Sequence, residues 1–374
     1  MIYFDNAATS FKKPKSVYRR LNSYLKKECG NPGRSSHFIA AKSAEYVYEA
    51  REKICTLFKL NNPEKVVFTM NATYALNLAI KTLVTEKSHV IVSDVEHNSV
   101  MRPIYALNKS LGVEYSVFNS SADNIFHEIE KHIRKDTTAL ICTLTSNVDG
   151  REIPFFLLSA IKKKHNLKLI IDASQAAGHT EIDLSKYSYD AIAMPGHKGL
   201  FGIQGAGICI FGETIPKESF IEGGSGSESK LLSMPDYLPE KFEAGTLPTP
   251  SIIALSTGID YISSVGIQSI REKESILNNA LKDRINDING IKIYGSNNSI
   301  VSFNAEWIGC ERLSAHLDRE KICTRAGLHC APMAHRAIGT ENIGTVRVSF
   351  SYFNTINEID VFWNSLKNIK MLYK

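Results

Sequence analysis

The sequence predicts an α/β protein, with a large domain on a mostly parallel sheet and a smaller C-terminal α+β domain. Three observations predict it. Strand-like apolar runs alternate with helix-like segments from about residue 40 to 215, the pattern of parallel strands joined by crossover helices. Between 222 and 250 the pattern breaks into Gly, Ser, Glu and Pro. Beyond about residue 258 a long polar helix leads into short strands.

In order along the chain, Lys65-Val66-Val67-Phe68 precedes a helical stretch over 74–83, and His89-Val90-Ile91-Val92 precedes a helix starting near Ser99. Ala139-Leu140-Ile141-Cys142 is followed by a helix over 155–165, whose Lys162-Lys163-Lys164 reads as a solvated face. Two buried strands follow. The first, over 167–171, ends at Asp172-Ala173-Ser174-Gln175; the second, over 189–194, ends at Pro195-Gly196-His197-Lys198-Gly199. Gly223-Gly224-Ser225-Gly226-Ser227 then opens a stretch that reads by itself as a flexible linker. A helix over 269–285, strands over 291–294, 299–304 and 346–351, and a helix from Asn357 complete the chain. The expected division is 16–257 for the large domain, with 1–15 and 258–374 forming the small one.

A chain of 374 residues with 43% hydrophobic and 22% charged residues has the composition of a soluble globular protein of about two domains. The net charge of +5 is spread out, and no basic stripe interleaves with aromatics, so no nucleic-acid partner is expected. Seven cysteines lie at scattered spacings without a CxxC pair, which suggests neither a zinc site nor a disulfide framework; six read as small buried apolar residues. No run of about 18 apolar residues occurs, so no membrane span is expected. The N-terminus lacks a basic region followed by an apolar core, and a reduced, cytoplasmic protein is the expectation. No GxGxxG follows the first strand, against a dinucleotide-binding oxidoreductase.

Asp172 and Lys198 carry the chemistry. Consecutive strands deliver an acid and a lysine to one sheet edge, where open α/β sheets hold their ligands. The pair fits pyridoxal phosphate (PLP): the lysine forms a Schiff base, and the carboxylate keeps the ring nitrogen protonated so that the ring accepts electrons. Asn71 caps the next helix and leaves backbone N–H groups for a phosphate, with Thr73 and His197 as further donors; taken alone, it is simply a cap. His97, in Glu96-His97-Asn98-Ser99, reads as an imidazole lying flat on the ring and passing protons. Asn147 reads as a donor to the ring hydroxyl or to a substrate carboxylate, and Gln175 also reaches that hydroxyl.

Cys330 differs from the other cysteines, because it lies in a Gly/Pro-containing loop beside His329 and near Arg325. Positive neighbours favour the thiolate, which is the nucleophile. Arg347 reads either as a surface salt bridge or as a bidentate clamp on a substrate α-carboxylate.

Together these residues resemble the cysteine desulfurases of the class V aminotransferase (fold-type I PLP-dependent) superfamily, over nearly the whole chain. The resemblance is carried by Tyr3-Phe4-Asp5-Asn6-Ala7-Ala8-Thr9, Asn31-Pro32, Ser36-His37, Asp172-Ala173-Ser174-Gln175 and Gly196-His197-Lys198. Phe242-Glu243-Ala244-Gly245-Thr246 and Arg325-Ala326-Gly327-Leu328-His329-Cys330-Ala331-Pro332 complete it. It implies a seven-stranded-type sheet and PLP as cofactor. Lys198 would be the Schiff-base lysine, Asp172 the partner of the pyridine nitrogen, Gln175 that of the ring hydroxyl, and His97 the stacked ring. The helix start at Ala72 and Thr73, with His197, would hold the phosphate. Asn147 and Arg347 would bind the substrate carboxylate. The family also implies a homodimer with a shared active site, in which Thr246 reaches the neighbouring subunit's phosphate; the Gly-rich stretch is then an active-site loop.

The implied reaction converts L-cysteine to L-alanine. Lys198 removes the α-proton, His97 shuttles protons, and Cys330 takes the sulfur as a persulfide. Two departures stand out: Pro195 replaces a phosphate-binding serine of many relatives, and Ala72 replaces a second hydroxyl. The compact Cys330 loop resembles relatives that use a protein sulfur acceptor, in iron–sulfur cluster assembly, thiolation or another pathway. A selenocysteine lyase or a cysteine/cystine C–S lyase is the alternative on this scaffold, as is a PLP-binding sulfur-relay protein of low turnover.

Overall fold

The computed structural model describes residues 1–33, 37–295 and 298–373; Ser36, one of the matching residues quoted above, lies outside them. The first half comprises β1 (Ile2–Tyr3), α1 (Lys15–Lys27), α2 (Phe38–Phe58), β2 (Val66–Thr69), α3 (Ala72–Leu83), β3 (His89–Ser93) and α4 (Asn98–Leu111). It continues through β4 (Glu114–Phe118), α5 (Ile125–Glu130), β5 (Thr137–Thr143), α6 (Phe155–His165), β6 (Lys168–Asp172), β7 (Ala191–Pro195) and β8 (Gly207–Phe211). Then come α7 (Thr249–Val265), α8 (Ile267–Asn286), β9 (Ile291–Tyr294), β10 (Ile300–Ala305) and α9 (Cys310–Arg319). The chain closes with β11 (Ile322–Cys323), β12 (Arg325–Gly327), α10 (Pro332–Ala337), β13 (Thr345–Ser349) and α11 (Ile356–Met371).

The large sheet has seven strands in the order β2-β8-β7-β6-β5-β3-β4. From β7 to β4 every pairing is parallel, while β8 runs antiparallel to both β7 and β2. Its central strands are buried along their length and rich in Ile, Val and Ala, as strands covered by helices on both faces must be. The edge strand β4 had no clear sequence signal, because Glu114 and Tyr115 are exposed.

The sheet's register decides where the site forms. Gly207 of β8 pairs with Thr69 of β2 on one side and with Pro195 of β7 on the other. A Cβ on Gly207 would lie 2.3 Å from the carbonyl carbon of Asn71, so only glycine lets the two flanking strand ends close up here. The helix start at Asn71-Ala72-Thr73 is thereby set beside the turn that carries Lys198.

A second, antiparallel sheet has the order β12-β13-β10-β9. Its core includes Leu277 and Leu281 of α8, Val301 and Phe303 of β10, and Phe362 and Leu366 of α11. The N-terminal segment is stitched into it: Phe4 joins that core, and β1 pairs in parallel with β11.

Several expectations need correction. The division at 257/258 falls inside α7, whose Ile252, Leu255, Ile259 and Ile262 pack into the core of the large sheet. The Gly-rich stretch, which read by itself as a flexible linker, joins β8 to α7 and is anchored at its end. Phe242 at its end is buried, and Glu243 forms a buried ion pair with Arg51 at 2.7 Å. Lys162 is not solvated: it is buried 2.8 Å from Asp190 and 3.2 Å from Glu213, while Lys163 and Lys164 are exposed. Cys29, expected inside, is exposed.

Candidate active site

Parallel strands point their C-terminal ends the same way, so the turns after β2, β3, β5, β6 and β7 meet at one sheet edge. Ala72, Thr73, His97, Asn147, Asp172, Gln175, His197 and Lys198 line one cavity there, with about 530 Å³ of open space. Eight of the sequence-predicted residues are therefore brought together. Pro195 lines the same cavity and offers no hydroxyl to it.

Asp172 is 3% exposed and accepts from the backbone N–H of Ser174 at 2.9 Å. Lys198 stands in the same cavity. Removal from water brings its ammonium down to about 8 from 10.5, with Asp172 opposing that fall and Arg347 and Arg325 adding to it. A lysine so placed is uncharged in an appreciable fraction of molecules near neutral pH. Gln175 is oriented by its Nε2 donating to the Ala7 carbonyl at 2.9 Å, which ties it to the N-terminal segment.

The anion end of the cavity is the start of α3. Asn71 caps it by accepting the Tyr74 N–H at 2.9 Å, so the amides of Ala72 and Thr73 remain free of helical partners. The Thr73 hydroxyl lies 2.7 Å from that of Ser99, which in turn lies 2.9 Å from His97 Nδ1. Because the Ser99 N–H also donates to His97 Nδ1 at 3.0 Å, the His97 ring carries its proton on Nε2. Burial holds His97 and His197 neutral, each lowered to about 4; Lys198 and Lys13 add to the effect at His197.

Arg347 corrects an alternative left open above: it is 1% exposed, so it forms no surface salt bridge. Its Nη2 donates to Asp5 at 2.7 Å and its Nη1 to the Asn147 carbonyl at 2.8 Å, while its Nε has no partner. Cys330 is exposed, and its Sγ lies 3.6 Å from Arg325 Nη2. His329 cannot act as a positive neighbour, because burial beside Arg347 lowers its ring to about 2. The loop is pinned to the cavity wall twice. Asn147 Nδ2 donates to the His329 carbonyl, and the Asn98 N–H to the Cys330 carbonyl, both at 2.8 Å. Thr246 is not part of this cavity; it is exposed on the loop before α7.

Residues 2–362 match the family model described as Aminotransferase class-V. The chain belongs to this family. Relatives of this chain include a probable cysteine desulfurase of Methanothermobacter thermautotrophicus, 30% identical over 381 residues, covering 98% of this chain and 94% of the relative. A probable cysteine desulfurase of Pyrococcus abyssi is 30% identical over 390 residues, covering 99% and 94%. The fold is similar to the apo structure of a cysteine desulfurase from Thermococcus onnurineus NA1, with a TM-score of 0.89 and 28% identity over 98% of this chain and 94% of that one.

Four further residues of this site stand in the sequence motifs quoted above without an assigned role. Asp5 pairs with Arg347, Ser99 bridges Thr73 and His97, Asn98 holds the Cys330 carbonyl, and Glu96, next to His97 in sequence, is fully buried. Ser99 and Asn98 carried a signal, since both follow a histidine that caps a helix. Asp5 stood within the opening matching segment, but nothing local pointed to a partner 342 residues away. Burial pushes the Glu96 carboxyl up to about 8, although Ser93 and the Thr143 N–H both donate to it.

Proposed function

We propose that the protein is a PLP-dependent cysteine desulfurase that converts L-cysteine to L-alanine and takes the sulfur onto Cys330. One observation carries the reading: Asn147 lines the Lys198–Asp172 cavity and at the same time grips the carbonyl of His329, the residue before Cys330. A thiol on a pinned turn is thus tied to an amine–carboxylate pocket. Transamination gives such a thiol no task.

The donor set fits PLP. Its phosphate would be held by the free amides of Ala72 and Thr73, the His197 imidazole and the positive end of α3. Asp172 suits a protonated ring nitrogen, Gln175 the ring hydroxyl, His97 a stacked ring and Lys198 the aldehyde carbon. When bound, the cofactor supplies an electron-withdrawing ring that stabilises negative charge on the substrate's α-carbon.

The chain's own residues do the rest. Arg347, with Asn147 beside it, receives the substrate carboxylate. Lys198, as the neutral amine, accepts the α-proton, and His97 exchanges protons through Nε2. The Cys330 thiolate attacks the substrate sulfur; the S–C bond breaks with its electron pair passing to carbon, and a proton delivered there completes alanine. Cys330 is left as a persulfide.

This reading extends to the assembly. The subunit is taken to work as a homodimer in which the exposed Thr246 reaches the neighbouring subunit's phosphate. The persulfide then passes to a protein acceptor, in the cytoplasm and with iron–sulfur cluster assembly among the pathways served. The small lobe is drawn from the N-terminal segment and the chain after Val265, since α7 packs with the large sheet.

The test is alanine and sulfide release from L-cysteine with a reductant present. Wild type should release both, and Cys330→Ser should keep the cofactor's absorbance while losing desulfuration. Equal activity in the two proteins would instead mean a lyase that expels sulfur directly.

A further inference from the structure

We propose that His335 and Thr340 are positioning residues for Cys330, forming with His329 a buried, one-directional hydrogen-bond chain that latches the turn presenting the thiol. The inference rests on the reading of Cys330 as sulfur acceptor.

The chain has three links. His329 Nε2 lies 3.2 Å from the Arg325 carbonyl, His329 Nδ1 lies 3.1 Å from His335 Nε2, and His335 Nδ1 lies 2.8 Å from the Thr340 hydroxyl. A carbonyl only accepts, so His329 Nε2 must donate to it. The neutral ring then has a bare Nδ1, which must accept from His335 Nε2–H. With His335 held neutral by burial, its bare Nδ1 accepts from the Thr340 hydroxyl, which also lies 3.4 Å from the His335 carbonyl. Reversing any link puts two lone pairs or two protons face to face. Burial keeps both rings neutral, which fixes their tautomers, and they lie nearly parallel at 18°.

Nothing in the chain reaches water: His329 is 3% exposed, and His335 and Thr340 are 0% exposed. A proton relay to solvent is thus not its role. The charged groups facing the rings are Arg325 and Arg347 at His329, and Arg347 and Asp149 at His335; Asp149 is itself paired with Arg151 at 2.9 Å.

The turn needs such a latch. His329 and Cys330 are consecutive non-glycine residues in the left-handed region, at φ 51° and 58°. That conformation is disfavoured for side chains with a Cβ and persists only where the surroundings hold it. The carbonyls of both residues are gripped by Asn147 and Asn98. Fixing the His329 ring from behind supplies the remaining constraint. With His335 Nε2–H lost, the backbone is free to relax, which carries Sγ away from Arg325 and from the substrate's sulfur.

The experiment compares His335→Ala, His335→Gln and Thr340→Val in the full-length holoenzyme. The readouts are hydrogen exchange of the Asn98 amide, which donates to Cys330, the alkylation rate of Cys330 by iodoacetamide, and desulfuration kinetics. His335→Ala should exchange the Asn98 amide about tenfold faster and change the alkylation rate, as expected when a closed segment opens locally. Its kcat should fall about tenfold with KM for cysteine nearly unchanged, the signature of a misplaced reacting group. Glutamine keeps an N–H donor at the Nε2 position and should restore all three readouts, with Thr340→Val intermediate. The proposal is overturned if Asn98 exchange and Cys330 alkylation in Thr340→Val or His335→Ala match wild type. It is also overturned if glutamine damages the enzyme as much as alanine does. Should His335→Ala not fold, Thr340→Val and His335→Gln decide by the same readouts. Exchange and alkylation do not depend on desulfurase activity, so failure of the functional reading would show separately, in the Cys330→Ser comparison.

Discussion

Arg347 of β13 and Asp5 of the N-terminal segment pair at 2.7 Å although 342 residues separate them. The cation assigned to the substrate carboxylate is therefore held in advance by a carboxylate from the far end of the chain. A second bond to the Asn147 carbonyl fixes the plane of the fork, and among the described residues the buried Nε has no partner.

Arg347→Lys tests that geometry. Lysine keeps the charge but cannot hold Asp5, the Asn147 carbonyl and a carboxylate in one plane. KM for cysteine should rise about tenfold to a hundredfold, the worth of one lost charge-assisted hydrogen bond. The absorbance of the bound cofactor should be unchanged. A KM within about twofold of wild type would remove Arg347 from the substrate site.

Lys198 predicts a pH profile for cofactor uptake. The neutral amine is the nucleophile, and the folded protein lowers this group from 10.5 to about 8. The rate at which the apoprotein gains imine absorbance on adding PLP should climb with pH and level off above about 8. With an ordinary lysine it would still be climbing at pH 10, and that result would contradict the desolvated site. Lys198→Ala should bind without the imine absorbance.

The Arg51–Glu243 pair anchors the end of the loop that carries Thr246. Both side chains are buried; Glu243 accepts from two Arg51 nitrogens, at 3.0 and 2.7 Å, and from the Phe68 N–H. Arg51→Met strands a buried carboxylate and should cost about 3–5 kcal/mol in urea unfolding, whereas adding Glu243→Leu should recover most of it. A single-mutant loss under about 1 kcal/mol would show that water reaches the pair.

Acid should destabilise the fold from just below neutrality. His97, His197 and His335 are lowered to about 4 and His329 to about 2, each chiefly by burial. The unfolded chain binds a proton on each near pH 6.5, which the folded protein refuses until those lower values. Stability therefore holds above about pH 6.5 and falls as pH drops toward 4, by at most about 1.4 kcal/mol per pH unit per ring. Two groups act in the opposite sense and offset part of this loss: His179, its burial being outweighed by Glu274, and Glu96, whose carboxyl burial raises to about 8, so that it stabilises the fold as pH falls from about 8 toward 4.5. Denaturant midpoints measured from pH 8 to 4 check this, and a flat profile would mean the rings are solvated.

Elements with a local signal were readable. The helix Phe155–His165 and the strand Ile291–Tyr294 lie where the sequence put them, and apolar runs placed Asp172 and Lys198 at strand ends. Errors came where burial depends on distant partners. Lys162 looks like its neighbours Lys163 and Lys164, and only the position of Asp190 takes it inside. Strand β4 shows little periodicity, because an edge strand exposes part of its face to water.

The sequence by itself determined the alternation that builds the sheet, the glycine, proline and asparagine positions that shape its turns, and the residue types available at the strand ends. These follow from backbone geometry and short-range hydrophobic patterning, which act over a few residues. Only the tertiary structure decided which of those residues meet. It set Asp5 on Arg347, Asn147 on the Cys330 loop, and His335 behind His329. It also removed from water the side chains whose charge that burial then altered. Pairing and desolvation depend on what the rest of the chain brings alongside, and no local pattern of residues encodes that.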